Sequence, residues 1–391
     1  MKVNKINKKN ILVIFGGKSV EHDISIITGV QTLNAINKNK YNIIPVYISK
    51  DNVWYTSVKF FNIKTFANKS FDLKKEKKVV LCSGGRLFIE KSKKLKFLSF
   101  VDFALLACHG NNGENGQLQG FLDMCNVAYS SPDVLSSAIC MNKLTTKQIL
   151  QTEGIEQVKY ISISEEEYKR GFNFIKNKIK DISFPVIVKP CCLGSSIGIT
   201  YCKSMKKFKN AISFAFLFDK NILIEEAVKN LKEVNLSIIG NSIKQELSAI
   251  EEVFSTEPFL TYEGKYLNKN SSAKGMENTS RKIPAEISLT TKEKIEETGL
   301  KAFKILNCKG VVRIDFLIDK DTENVYLNEI NTIPGSLSNY LWKEKYSFSE
   351  MLDKVIGYSI DETNMSINKI TNFNSNVLNQ FENSSKLSIK K

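Results

Sequence analysis

The segment Ile11-Leu12-Val13-Ile14-Phe15, closed by Gly16-Gly17, constrains the fold more than any other. A wholly apolar run this short, ended by glycines, reads as a buried strand. A helical pattern follows, with Ile24, Ile27, Val30 and Leu33 near one face, and Tyr41 to Ile48 reads as a second strand. Strand, helix and strand in that order demand a parallel pair, because parallel strands need a long crossover. Glycines at the carboxyl end of a parallel strand also mark where ligands sit in open α/β sheets. Glu21 lies there and can bind an ammonium group. It can equally be a helix N-terminal carboxylate favoured by the helix dipole. Only two histidines occur, His22 and His109, both in glycine-bearing loops after strands, so structural and catalytic roles stay open.

Length and composition bound the rest. With 391 residues the chain is long enough for two or three domains at about 150 residues each. Hydrophobic residues at 42% and charged residues at 25% exclude global disorder, a collagen-like fibre and a small disulfide scaffold. The net charge of +15 raises the question of nucleic acid. The excess is scattered lysine without an arginine-rich helix or aromatic-basic stripe, so no specific nucleic-acid partner is expected. No apolar run approaches the roughly 18 residues that span a bilayer, so no membrane association is expected. The basic start Met1 to Asn10 is followed by too short an apolar run, and by Gly16-Gly17-Lys18, to be a signal peptide. Eight cysteines without a CxxC pair indicate neither zinc nor a disulfide framework, and a cytoplasmic protein with reduced thiols is expected.

Residues 11–135 read as one α/β domain, with Val79 to Cys82 and Leu87 to Glu90 as edge strands and Val101 to Cys108 as a further strand. Residues 136–230 read as a small α+β lobe. It holds a helix from Lys143, a capping box at Ser164 and Glu167, a hairpin from Phe184 to Cys202, a helix from Met205 to Phe218 capped by Ser204, and a strand Ile222 to Glu226. Residues 231–360 form a third lobe with a helix capped by Thr290 and Glu293, and a lid loop is expected at 255–284. A disordered tail is expected over 361–391, which is rich in Asn, Ser and Lys.

The most informative stretch is Val311 to Asp319, a polar turn, then Val325 to Asn331. A turn centred on Thr322 sets Asp315 opposite Glu329 and Arg313 opposite Asn331. Period-2 alternation then places all four on one face, among Val311, Leu317, Val325 and Leu327. Two facing carboxylates repel unless a cation lies between them, and Asp, Glu and Asn supply the oxygens that Mg²⁺ prefers. The alternative is an exposed salt-bridged hairpin. A second stretch, Lys189-Pro190-Cys191-Cys192-Leu193-Gly194-Ser195-Ser196-Ile197-Gly198, sets a lysine at a strand end before a Gly-Ser turn. Free backbone N–H groups in such a turn can cradle phosphates, although a plain hairpin turn fits as well.

Together these residues resemble the D-alanine–D-alanine ligases of the ATP-grasp superfamily. The resemblance runs over roughly residues 11–357 and keeps the family's motif order: Phe15-Gly16-Gly17 through Glu21-His22, His109-Gly110 through Gly120, and Met141-Asn142-Lys143. It continues through Lys189 to Gly198, Tyr262-Glu263-Gly264-Lys265-Tyr266, Arg313-Ile314-Asp315 and Asn328 to Gly335. It implies a three-domain ATP-grasp architecture, an N-terminal parallel α/β domain followed by two ATP-grasp lobes with ATP between them. It further implies a ligase that joins two D-alanines through an acyl phosphate for peptidoglycan synthesis. D-Alanine and ATP would be its small-molecule partners, and a homodimer is expected.

The resemblance also assigns roles. Lys143 and Lys189 would contact phosphates, Glu225 and Glu226 would lie near the adenine, and Glu233 would serve the ribose. Ser195, Ser196, Val228, Lys265 and Asn328 would complete the nucleotide contacts. Asp315, Glu329 and Asn331 would hold two Mg²⁺ or Mn²⁺ ions. Glu21, with Ser195 and Tyr266, would hold the donor's ammonium, and Arg313 with the Gly335 N–H would stabilise the oxyanion. Four positions depart from the family pattern. Asn115 and Asn142 replace Asp, the stretch from Glu225 to Glu233 is one residue longer, and Tyr340 stands where a Ser binds the acceptor's carboxylate. The same fold with D-serine or D-lactate as acceptor, or a non-catalytic nucleotide-binding protein, are the competing readings.

Overall fold

The computed structural model describes residues 8–68, 70–254, 281–367 and 369–370. Its first sheet has eight strands in the order β6-β5-β4-β3-β2-β1-β7-β8. These are β1 (Lys9–Gly16), β2 (Tyr41–Ile48), β3 (Trp54–Thr56), β4 (Lys77–Cys82), β5 (Arg86–Lys91), β6 (Lys94–Phe100), β7 (Phe103–Leu106) and β8 (Ala128–Tyr129). β1 runs parallel to both β2 and β7. Because β1 and β7 are buried on both faces, their sequences are continuous apolar runs. β4 and β5 are interior members of an antiparallel meander whose edge is β6, an extra strand that the lysine-rich sequence hid.

The crossover helix His22–Ala35 packs its Val30 and Leu33 into this core. Gly16 turns the chain out of β1 at φ +91°, and a Cβ there would lie 2.3 Å from the Ile48 carbonyl oxygen. Gly29 lets the helix touch the sheet, since a Cβ on it would stand 2.3 Å from Cγ of Phe15. Gly29→Ala gains about 1 kcal/mol of helix propensity. It pays more, about 1–3 kcal/mol, in overpacking against a ring fixed close to its own backbone. A net loss of stability in urea unfolding is therefore expected; a gain would mean that the helix can lift off β1 freely.

The second sheet follows the order β11-β10-β12-β9, from β9 (Tyr160–Ser164), β10 (Val186–Pro190), β11 (Thr200–Cys202) and β12 (Asn221–Glu226). Phe208 and Ile212 of the helix Met205–Ala215 pack on Val186, Val188 and Ile224. The capping box at Ser164 and Glu167 is present, whereas Ser204 makes no side-chain cap bond.

The third sheet runs β15-β14-β13-β16-β17, from β13 (Leu231–Gly240), β14 (Gln245–Val253), β15 (Arg281–Lys282), β16 (Gly310–Asp319) and β17 (Val325–Asn331). Its core face takes Ile295, Ala302 and Phe303 of the helix Leu289–Ile305. That helix is capped by Ser288, which accepts the Thr291 N–H, rather than by Thr290 and Glu293. The C-terminal helix continues to Ile367, past the point where the tail was expected to begin. Its Met351, Leu352 and Val355 join the first core, together with Leu337 and Trp342. Most of the expected lid lies outside the described residues, but its end, Arg281–Lys282, is a strand paired with β14.

Candidate active site

The hairpin of β16 and β17 pairs Arg313 with Asn331 and Asp315 with Glu329, the register a turn centred on Thr322 demands. A bulge then shifts the register, so that Phe316 faces Leu327. The extra residue is Asn328, and the shift turns Val325 and Leu327 away from the carboxylates into the core under the helix Leu289–Ile305. It also presents Asn328 and Glu329 to the same cleft. Strict alternation had placed Val325 and Leu327 on the carboxylate face. A bulge that re-aims one amide leaves no mark in the alternation.

Charges meet in this cleft in fixed pairs. Arg313 donates from Nε and Nη2 to the two oxygens of Asp315 at 2.6 and 2.7 Å, and Asn331 donates to Asp315 Oδ2 at 3.1 Å. Asp315 raises the guanidinium pKa well above its ordinary value, against the opposing effect of burial. Lys143, the first residue of the helix Lys143–Thr152, donates to the Leu193 carbonyl at 2.8 Å and lies 3.3 Å from Glu329. Asn142 caps that helix, its amide oxygen accepting the Thr145 N–H. Lys189 meets Glu225 at 2.6 Å and Asn328 at 3.3 Å.

Glu225 is shared, because Lys147 approaches its other oxygen at 3.0 Å. Burial lowers the Lys147 pKa, opposed by Glu225, while the two lysines hold the Glu225 carboxyl below its ordinary value against burial. Lys147 is almost wholly buried and was not singled out in the sequence. Nothing in a lone lysine on a helix indicates that it will face a carboxylate far away in the chain. The cleft between the second and third sheets holds about 430 Å³, and Ser196, Glu226, Val228 and Glu233 also line it. Glu226 accepts the Ser183 N–H at 2.8 Å.

A smaller polar cavity of about 40 Å³ adjoins it, with Arg313 and Glu329 lining both. Glu21, Ser195, Asn331 and Gly335 line the smaller one, so residues far apart in the chain meet there. Glu21 precedes its helix but makes no side-chain cap. Its carboxylate instead accepts the hydroxyl of Ser195, from the turn after β10. Ser195 and Ser196 sit at φ +52° and +58°, a left-handed turn that brings the Gly194 backbone against Glu21.

Glu114 is a further acidic group in this cavity that the sequence reading did not assign. Its oxygens accept the Gly110 N–H at 2.6 Å and the Ile333 N–H at 3.2 Å. Burial and the neighbouring charge of Glu21 push its pKa up to about 8. A glutamate between the glycines of a loop after β7 was the available signal.

Both histidines are bound into the framework. His109 donates from Nδ1 to the Ile333 carbonyl at 2.7 Å, so Nε2 accepts the Thr28 hydroxyl at 2.8 Å. Burial lowers its pKa to about 4, leaving it neutral. His22 donates to the Gly17 carbonyl at 2.6 Å and pairs with the Tyr47 hydroxyl at 3.0 Å. Tyr340 is buried and donates to Glu251 at 3.0 Å, away from the small cavity. Lys265 and Tyr266 lie outside the described residues.

Among the described residues no three His, Cys, Asp or Glu side chains converge as a metal site. Asp315, Glu329 and Asn331 offer two carboxylates and an amide. That hard-oxygen set fits Mg²⁺ shared with phosphate, which keeps few protein ligands.

Family models match both halves of the chain. The D-ala D-ala ligase N-terminus covers residues 10–132, and the D-ala D-ala ligase C-terminus covers residues 149–356. The chain belongs to the D-alanine–D-alanine ligase family. It is 39% identical over 376 residues to the D-alanine–D-alanine ligase of Thermosipho melanesiensis, covering 94% of this chain and 98% of that protein. It is 33% identical over 361 residues to D-alanine–D-alanine ligase B of Clostridium tetani, covering 91% and 95%. Among solved structures it resembles the VanG D-Ala:D-Ser ligase of Enterococcus faecalis, with a TM-score of 0.75, 29% identity, and coverage of 90% of this chain and 99% of that one. The D-alanine–D-alanine ligase of Coxiella burnetii matches with a TM-score of 0.75, 26% identity, and coverage of 92% and 96%. These neighbours make the architecture that of the ATP-grasp ligases, as the resemblance implied.

Proposed function

We propose that the chain is an ATP-dependent D-alanine–D-alanine ligase supplying the dipeptide for peptidoglycan synthesis in the cytoplasm. One observation carries this reading: the small cavity holding Glu21 and Ser195 shares Arg313 and Glu329 with the cleft lined by Lys143 and Lys189. An amino acid whose ammonium rests on Glu21 then points its carboxylate toward the phosphate-binding lysines.

A carboxylate is a poor electrophile. Its oxygen attacks the γ-phosphorus of ATP, ADP leaves, and the acyl phosphate so formed is displaced by the amine of the acceptor, which loses a proton as phosphate departs. Lys143 and Lys189 offset the repulsion between carboxylate and triphosphate. Asp315, Glu329 and Asn331 would hold Mg²⁺ or Mn²⁺, which supplies charge neutralisation on the phosphates. Arg313 and the Gly335 N–H hold the oxyanion of the tetrahedral intermediate. ADP release with Mg²⁺-ATP across D- and L-amino acids, with products weighed by mass spectrometry, tests the whole reading. D-Alanine is expected to serve as donor and acceptor. A higher kcat/KM for D-lactate at neutral pH would overturn the amine acceptor, and a D-serine preference would move the specificity to the pocket around Tyr340.

Glu21→Gln separates donor binding from nucleotide binding. Charge-assisted bonds contribute about 1.5–3 kcal/mol, so the donor KM is expected to rise roughly 10- to 100-fold. ATP affinity without amino acid should stay within a few-fold; equal weakening of both would place Glu21 at the nucleotide. A homodimer fits the exposed edge strand β6, where Leu95, Phe97 and Phe100 face solvent. Sedimentation giving a 44.3 kDa species at all concentrations would exclude it.

A further inference from the structure

We propose that Thr28, in the interior of the crossover helix His22–Ala35, is a positioning residue for the Gly335 N–H. The proposal rests on the ligase reading, in which that N–H faces the oxyanion, and extends it to a buried hydroxyl that touches no substrate.

The segment that carries Gly335 does not hold its shape unaided. Ser336, Leu337 and Ser338 follow it at φ +52°, +49° and +52°, successive side-chain-bearing residues in the left-handed region. Left-handed backbone sets Cβ against the following carbonyl oxygen, so residues other than glycine adopt it singly rather than in runs. Such a run persists only where its surroundings over-determine it. Local bonds hold it in part. Leu337 donates its N–H to the Pro334 carbonyl at 2.8 Å, and the Asn339 amide donates to the Ser336 carbonyl at 2.8 Å.

The remaining hold comes from across the fold, through one hydroxyl. Thr28 Oγ1 accepts the Ser336 N–H at 3.0 Å and donates to His109 Nε2 at 2.8 Å. His109 in turn donates from Nδ1 to the Ile333 carbonyl at 2.7 Å. Ile333 precedes Pro334 and Gly335, and Ser336 follows them, so these bonds close a ring around the pair. The Ile333 N–H is held as well, by Glu114 at 3.2 Å. Pro334 has φ −69°, which its own ring fixes. With both flanks held, the peptide plane carrying the Gly335 N–H is set, and Gly335 lines the small cavity together with Arg313.

The anchor itself is rigid. Thr28 is fully buried, its neighbour Gly29 packs the helix onto Phe15, and branching at Cβ restricts its side chain. Ser25, one turn earlier on the same face, accepts the His109 N–H at 2.8 Å, so the helix grips this histidine by both backbone and ring. The chemistry demands a hydroxyl at position 28. One group must accept from an N–H and donate to a ring nitrogen at once, which Ser can do and Val or Ala cannot.

The test compares Thr28→Ser, Thr28→Val, His109→Asn and the double variant T28V/H109N in the full chain, with Mg²⁺-ATP and D-alanine. Thr28→Val keeps the shape and removes the hydroxyl. It is expected to lower kcat roughly 10- to 100-fold, with the KM for ATP and for donor D-alanine within about threefold. Thr28→Ser should keep kcat within about threefold of the parent, since it restores both bonds. Because Thr28 and His109 act as one chain of bonds, the losses in T28V and H109N should combine to much less than their product in the double variant. Thermal melting shows that each variant is folded at the assay temperature. Thr28→Ala, which leaves space in place of a methyl, carries the measurement should Thr28→Val not fold. An unchanged kcat in the hydroxyl-free variants, or an equal fall in Thr28→Ser, overturns the proposal. So does a rise in the KM for ATP that matches the fall in kcat, because a general loosening of the fold then accounts for the defect. Fully multiplicative losses in the double variant overturn it as well. Absence of any D-alanine product from the parent chain would instead remove the ligase reading, and this proposal with it.

Discussion

Asp315→Asn and Glu329→Gln are each expected to lower turnover by roughly 10²–10³, in the range seen when a group that stabilises developing charge is removed. The two should differ in kind. Glu329 faces Lys143 at 3.3 Å and lines both cavities, so Glu329→Gln chiefly weakens metal affinity, and raised Mg²⁺ should restore part of the rate. Asp315 also holds both arms of the Arg313 fork. Asp315→Asn therefore loses metal affinity and lets the guanidinium drift, and no Mg²⁺ concentration should restore it fully. The measurements are kcat against Mg²⁺ for each variant, with circular dichroism showing the fold retained. Near-normal rates in both would end the metal assignment.

Arg313→Lys is expected to cost as much, roughly 10²–10³ in kcat, with the KM for ATP within a few-fold. The substitution keeps the charge, but an ammonium cannot make the paired bonds to Asp315 and face the oxyanion together. It also leaves a nearly buried carboxylate partly unpaired, so a loss of stability of about 1–3 kcal/mol should accompany the lost rate. Pre-steady-state quench separates the steps, because acyl phosphate formation should survive better than amine attack. An Arg313→Lys enzyme at wild-type rate would show that the oxyanion is held by the Gly335 N–H alone.

Much of the site was legible because its residues act through local rules. The turn at Thr322 sets the Asp315–Glu329 register by counting, since strands alternate with a period of two. The Gly-bearing loops after β1 and β7 announce the ends of parallel strands, and Glu21 lines the small polar cavity there. Where local rules compete, the reading slipped. Ser288, Thr290 and Thr291 are all of capping type, and the backbone decides between them, since Ser288 is extended while Thr290 and Thr291 already lie inside the helix. The lysine-rich strand β6 alternates charge with exposed Phe and Leu, a pattern that burial never disciplined.

The sequence by itself determined the order of elements, the parallel core around β1, the facing carboxylates and the family motifs, because each of these rests on neighbours a few residues apart. Only the tertiary structure decided which lysines share Glu225, how the bulge at Asn328 turns Leu327 inward, and that Tyr340 spends its hydroxyl on Glu251 beneath Arg281. Apart from the bulge, those contacts join segments tens of residues apart. Their energies depend on burial and distance, which no local spacing encodes until the three sheets have packed.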